Sequence, residues 1–317
     1  MCIRDSDCIV FDNQLAPSQQ REWEAASDLC VIDREEVILD IFAKRAATRE
    51  ASLQVELARM QYALPRMARM WGHLDREGGG GSGGAAAARG MGEKQIEVDR
   101  RLARTRIERV KRELVQVRSQ RATQRKERER FDTPHAAIVG YTNAGKSTLL
   151  NRLSGSEVLS KDMLFATLDT TTRRIDLPDG QPLLLTDTVG FIRKLPHQLV
   201  EAFRSTLDVV IDADLLVHLV DASSPDPEGD IEAVRQVLRE IGGADEITEL
   251  IVANKADLAP DAAAVIARRH QGAVAVSATA AHGIDDLLTT IGDRLRAATT
   301  VQTLMVPFAR GDVLASV

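Results

Sequence analysis

The sequence predicts an α/β fold with a mainly parallel sheet, preceded by a small α/β unit that carries a long antiparallel helical hairpin. Three observations lead there. Strand-like and helix-like stretches alternate from Phe131 to Ala298, and strands connected through helices build parallel sheets covered on both faces. Two stretches between residues 50 and 130 repeat apolar residues at alternating steps of four and three, the seam of paired helices. Finally, Gly140 to Ser147 reads G-x-x-x-x-G-K-S between a strand pattern and a helix pattern.

The elements follow in order. The opening MCIRDS carries no pattern, and the strand-like run Cys8-Ile-Val-Phe11 starts abruptly, as at a fragment boundary. APSQQREWEAAS reads as a short helix with Pro17 in its first turn, and LCVID as a second strand. Residues 8–50 are therefore expected to be the remnant of a small α/β unit. In the first helical stretch Leu53, Leu57, Met60, Leu64, Met67, Trp71 and Leu74 form the seam, with Pro65 expected to bend it. In the second, Ala103, Ile107, Val110, Leu114 and Val117 keep the same rhythm. Matching stripes fold back on each other as an antiparallel hairpin over about residues 50–130. Its tip, residues 75–93, is rich in glycine and serine and predicts a mobile loop.

From 131 to 298 the candidate strands are AAIVG, RRIDLP, PLLLTD, LLVHLVDA, ELIVANKAD and AVAVSA, separated by amphipathic stretches such as LVEAFRSTLDVV and IEAVRQVLREI. Asp179-Gly180 reads as a hairpin turn. Residues 299–317 resume strand character and are expected to begin a truncated C-terminal domain, which divides the chain into domains 1–130, 131–298 and 299–317.

Composition narrows the function. With 317 residues and 44% hydrophobic content the chain can bury the cores of two domains. No apolar run approaches the roughly 18 to 20 residues of a membrane span, and the start lacks the order of a secretion signal, so a cytoplasmic protein is expected. Cys2, Cys8 and Cys30 are odd in number and lack metal-ligand spacing, and the six histidines are scattered; neither a disulfide nor structural zinc is expected. The net charge of −6 hides an asymmetry: residues 94–130 hold fourteen Lys and Arg against six Asp and Glu. Pairs such as Glu108 with Arg112 would make part of this a solvated helix, but the excess favours contact with nucleic acid. Arg89, Gly90 and Gly92 at the tip, where small residues let backbone approach RNA, and Arg100, Arg101 and Arg104 on the basic helix are the candidates.

The glycine-bounded turn is a phosphate site. Gly140, Tyr141, Thr142, Asn143, Ala144 and Gly145 would wrap backbone amides around phosphates, with Lys146 reaching the β and γ phosphates and Ser147 a magnesium ion, Thr148 following in the helix. Asp187-Thr188-Val189-Gly190 ends the run PLLLTD; Asp187 can hold magnesium through a water, and Gly190 can contact the γ phosphate through its amide. Asn254-Lys255-Ala256-Asp257 addresses the base. Asp257 can accept from both N1-H and the 2-amino group of guanine, a donor pair adenine lacks. Asn254 suits the other edge of the base, the stem of Lys255 can cover its face, and Ser277-Ala278-Thr279 offers backbone contacts near the guanine oxygen. The ligand is GTP rather than ATP.

These segments, in this order, resemble the HflX family of the Obg-HflX group of translation-factor-like P-loop GTPases. The resemblance extends to VFDNQLAPSQQ, VIDREEVILDIFAKRAATRE, LQVELARMQYALPRM, RGMGEKQIEVDRR, LFATLDTTTRR, DTVGFIRKLP and VDASSP, and the chain departs from the family pattern at Met91 and Lys94. It implies a GTPase that binds the large ribosomal subunit and its RNA and uses GTP to dissociate or rescue ribosomes, acting as a monomer. It also implies that Thr167, rather than Thr170, Thr171 or Thr172, binds magnesium when GTP is present. Lys146, Thr167 and Gly190 would carry the catalysis. Phe191 stands where Ras-like enzymes place a glutamine that orients water, so intrinsic hydrolysis is expected to be slow and partner-stimulated. In related GTPases an asparagine at the position of Asn143 helps hold potassium, whose charge replaces an arginine finger; an asparagine that merely accommodates the turn is the alternative. The rival functions are a GTPase of large-subunit assembly and a GTP-regulated RNA-binding module without significant turnover.

Overall fold

A computed structural model describes residues 6–67, 97–117, 133–155, 168, 170–193, 204–242 and 244–298. In the N-terminal part, β1 (Cys8–Phe11) and β2 (Cys30–Asp33) pair in parallel across α1 (Pro17–Ser27), as a β-α-β connection requires. Helix α2 (Arg34–Arg45) follows at once because Asp33 caps it, its Oδ1 accepting from the Glu36 amide at 3.0 Å. Glu35 and Glu36 in its first turn and Lys44 and Arg45 in its last suit the helix dipole. Helix α3 (Arg49–Ala63) is capped the same way by Thr48, which accepts from the Ala51 amide at 3.1 Å.

At Pro65 the α3 helix ends in a 3-10 turn, Leu64–Arg66, which is the expected bend. Arg66 then turns inward. Its guanidinium lies 3.6 Å over the Tyr62 ring and donates to Gln20 Oε1, Tyr62 O and Leu15 O. It also pairs with the wholly buried Asp33 at 3.4 Å. Buried charges persist only when so satisfied.

Helix α4 (97–117) lies against α3: Leu53, Leu57, Ile107, Val110 and Leu114 form one buried cluster, with Met60 and Leu64 packed on it. Arg49 meets Glu113 and Arg106 meets Glu56, so residue numbers rise on one helix as they fall on the other. The helices are antiparallel. Trp71, Leu74, the tip at 75–93 and, with it, Arg89, Gly90 and Gly92 lie outside the described residues. One expected pair is corrected: the Glu108 carboxylate meets Lys111, whereas Arg112 donates to the Glu108 backbone carbonyl.

The second unit is a six-stranded sheet made of β3 (His135–Gly140), β4 (Thr171–Asp176), β5 (Pro182–Asp187), β6 (Leu215–Asp221), β7 (Glu249–Asn254) and β8 (Val274–Ala275). Its order is β4-β5-β3-β6-β7-β8, with β4 alone antiparallel to its neighbour. The helices are α5 (Lys146–Ser154), α6 (Arg204–Ile211), α7 (Pro227–Ile241), α8 (Pro260–Arg269) and α9 (Ile284–Ala298). Alternate side chains of β3 enter opposite cores. Ala136 and Ile138 join Leu149, Leu185 and Leu287, whereas Ala137 and Val139 join Phe191, Val210 and Val234. The latter cluster also takes in Phe42, Val55, Ala58 and Tyr62 of α2 and α3.

The strand β8 is shorter than AVAVSA suggests. The Val276 amide still donates to Ala253 O, but Ser277 bridges back to His282 and Ala281 takes a left-handed φ of 56°, which turns the chain away. Asp179-Gly180 makes the expected hairpin turn, with Gly180 at φ 83° donating to Leu177 O and Asp179 Oδ1 accepting from Gln181.

Candidate functional site

The sheet order reverses direction at β3, whose neighbours β5 and β6 leave a crevice at the carboxyl ends of the strands. The turn Gly140 to Gly145 occupies it. Two glycines are obligatory for packing as well as conformation. A Cβ at Gly140 would fall 2.3 Å from Leu219 O, and one at Gly145, where φ is 94°, would fall 2.4 Å from Asn254 Nδ2. Asn143 sits exposed in the left-handed region at φ 61°, as a turn asparagine can. Helix α5 starts at Lys146 with Gly145 as its cap and no side chain folded over its end, an N-terminus suited to an anion. Thr148 follows, half-buried, on its first turn.

Lys146 is buried, with Nζ donating to Gly140 O at 3.1 Å and Tyr141 O at 2.9 Å. Burial pushes its pKa down to about 8, with the Asp187 charge partly opposing. Ser147 Oγ donates to Asp187 Oδ2 at 2.7 Å. Two hard oxygen donors thus meet at the phosphate turn. Among the described residues no group of three or more His, Cys, Asp or Glu could cage a metal. That donor set fits magnesium, which takes one or two protein oxygens and completes its shell with water and substrate phosphate.

The segment after Asp187 is zipped onto the turn. The Thr142 amide donates to Phe191 O at 2.8 Å and the Phe191 amide to Gly140 O at 3.1 Å. Thr188 Oγ1 donates to Ile138 O at 2.7 Å. Gly190 lies against the turn, and a Cβ there would stand 2.9 Å from Thr142 Cγ2 and 3.1 Å from Lys146 Nζ. The Phe191 ring is fully buried in the cluster shared with α2 and α3, so it offers a water nothing polar. Arg34 of α2 donates to Arg193 O at 3.2 Å.

At the ends of β7 and β8 lie the segments 254–257 and 277–279. Asn254 is buried, with Nδ2 donating to Ala144 O at 2.8 Å and Oδ1 accepting from the Ala278 amide at 3.1 Å. It braces the 140–145 turn to the 277–279 loop, since the two loops approach from either side of its side chain. Lys255 takes a left-handed φ of 61°, and its Nζ meets Asp221 Oδ2 at 2.7 Å. Asp257 is exposed, and among the described residues its carboxylate makes no hydrogen bond. Ser277 and Ala278 are buried and Thr279 exposed.

Two further residues contact these loops. Arg152 of α5 donates to Ala278 O at 3.0 Å and Thr279 O at 2.8 Å, tying α5 to the 277–279 loop. Asp221, the acidic residue of the VDASSP segment, ends β6 and meets Lys255. Thr167 lies outside the described residues; Thr171 and Thr172 belong to β4, where Thr172 Oγ1 meets Thr186 Oγ1 at 2.8 Å. Arg101 and Arg104 are exposed and Arg100 half-buried on α4.

Residues 2–43 match the family described as GTP-binding GTPase N-terminal, 45–128 the GTP-binding GTPase Middle Region, and 135–255 the 50S ribosome-binding GTPase. The GTPase HflX of Akkermansia muciniphila is 60% identical over 98% of this chain and 73% of its own. The GTPase HflX of Escherichia coli K12 is 45% identical over 96% of this chain and 70% of its own. Among solved structures, a complex of SsGBP with GDP is 24% identical, with a TM-score of 0.53 over 93% of this chain and 82% of that one; it shares the fold.

Proposed function

The chain belongs to the HflX family of GTPases, and from that premise we propose that it binds the large ribosomal subunit and couples GTP hydrolysis to separating or rescuing ribosomes. One observation supports the coupling. The segment that would sense the γ phosphate, Asp187 to Phe191, is hydrogen-bonded to the phosphate turn, and its Phe191 ring sits in a core shared with α2 and α3. A nucleotide that rearranges this segment must also disturb the N-terminal part.

In this reading the turn amides and Lys146 hold the phosphates, and the carbonyls of Gly140 and Tyr141 release Nζ to do so. Ser147 and Asp187 would hold magnesium, which neutralises developing phosphate charge when bound, and Thr167 would join them with GTP. Asp257 reads guanine, with Ser277, Ala278 and Thr279 beside its oxygen. The exposed carboxylate at 257 suits that task, since nothing else among the described residues engages it. Because Phe191 is buried, no side chain at its position orients the attacking water, and turnover is slow until a partner reshapes the site. Asn143 is the candidate to hold potassium; replacing potassium by sodium with no change in rate would refute that role.

In this reading the domains are 1–130 and 131–298; residues 299–317 lie outside the described residues. The exposed arginines of α4, and Arg89, Gly90 and Gly92 beyond it, would meet ribosomal RNA through phosphate contacts. Among the described residues no helix is long and apolar enough to cross a membrane, and we place the protein in the cytoplasm as a monomer. The test mixes the protein with intact ribosomes and GTP or a non-hydrolysable analogue, following light scattering and phosphate release together. Subunit separation with GTP supports the proposal. Ribosome-stimulated phosphate release without separation points to an assembly GTPase, and neither signal to a binding module.

A further inference from the structure

We propose that Asp221 is a positioning residue for the guanine pocket: it tethers the ammonium of Lys255 so that the lysine stem lies across the base, and so sets how long a guanine nucleotide stays bound. The inference rests on the reading of residues 254–257 and 277–279 as that pocket.

Asp221 ends β6 directly opposite Asn254, the last residue of β7. The strands are still joined beyond that point, since the Ala222 amide donates to Asn254 O at 2.9 Å. Lys255 then leaves β7 in the left-handed region, a conformation that a non-glycine residue holds only when its surroundings impose it. The imposing contacts are on both its backbone and its side chain. Leu258 and Ala259 donate to Lys255 O, and Nζ is held at 2.7 Å by Asp221 Oδ2. The carboxylate is itself immobile, because its Oδ1 accepts from both the amide and the hydroxyl of Ser223 at 2.9 and 2.6 Å.

A lysine has four rotatable bonds and scatters over many rotamers when its end is free. Fixing both ends of that stem leaves a short methylene rail, only a quarter exposed, at the mouth where Asp257 stands. A rail of methylenes suits the apolar face of a purine, and a purine pressed on it presents its edge to Asp257. An ordinary strand-end ion pair would stabilise the fold without affecting nucleotide residence, and this difference is measurable.

Asp221→Asn is the fitting substitution. The amide oxygen keeps the Ser223 contacts, while the other position becomes a donor that cannot accept from the ammonium. Release of a fluorescent GDP from the 317-residue chain is followed by stopped flow for wild type, Asp221→Asn, Lys255→Met and the double variant, with melting temperatures alongside. Each single substitution is expected to speed release about tenfold, the double variant no more than Lys255→Met alone, with the melting temperature of Asp221→Asn nearly unchanged. Release from Asp221→Asn within about twofold of wild type, or two effects that multiply, overturns the inference while leaving the pocket intact. Wild type that releases GDP and ADP equally fast overturns the pocket reading and the inference with it.

Discussion

Replacing Asn254 by alanine tests the brace between the two halves of the nucleotide site. The substitution deletes the donor to Ala144 O and the acceptor for the Ala278 amide. Ala144 is fully buried and Ala278 nearly so, so water cannot take over either bond. Each stranded backbone group costs about 1–3 kcal/mol. Some of that is recovered by loosening the loops, so a net loss of about 2–4 kcal/mol in nucleotide binding is expected, roughly thirtyfold to a thousandfold in Kd. Asn254→Asp keeps the acceptor for Ala278 but sets a carboxylate against the Ala144 carbonyl, and its loss should be no smaller. Equilibrium titration with a fluorescent GDP measures both. A loss below about threefold for Asn254→Ala would refute the idea that this side chain holds phosphate turn and base loop in register.

Lys146 predicts a pH signature. With its pKa near 8 rather than the ordinary 10.5, the free protein is penalised for the charged amine below about pH 8, and its stability should rise with pH from 8 to 10.5. Bound phosphate restores the charge, so nucleotide binding takes up a proton above pH 8, and GDP affinity should fall up to about tenfold per pH unit there. Calorimetry in buffers of different ionisation enthalpy checks it; no uptake at pH 9.5 contradicts it. Gly190→Ala forces a methyl onto Thr142 and the Lys146 amine; partner-stimulated hydrolysis should drop at least about tenfold, and wild-type turnover would count against the placement of this segment. Arg66→Met strands the buried Asp33 and should destabilise the N-terminal part by about 3–5 kcal/mol in urea unfolding, whereas a change below about 1 kcal/mol would contradict its structural role.

Much of the fold can be read in the sequence because the relevant signals are local. PLLLTD forms a strand with the very bounds its apolar run suggests, and the 140–147 pattern needs its strand-turn-helix setting to work at all. The seam of α3 and α4 was equally plain, since a repeat of four and three leaves one apolar stripe per helix. What stayed hidden depends on contacts between distant segments. Arg66 reaches back 33 residues to Asp33, and Arg152 reaches 126 residues forward to Ala278; neither position carries a local pattern. Asn254 showed its motif but not its work, because the sequence does not say that Ala144 and Ala278 flank it. The shortening of β8 likewise arises from the turn at Ala281, which has no glycine to announce it.

Guanine recognition through the single carboxylate of Asp257 is the central proposal. Its most direct test is calorimetric titration of the purified chain, and of Asp257→Asn, with GDP and with ADP in magnesium. Wild type is expected to prefer GDP by at least about a thousandfold, and Asp257→Asn to lose most of that preference. Equal affinity of wild type for the two nucleotides, or a preference that survives the substitution, would contradict it.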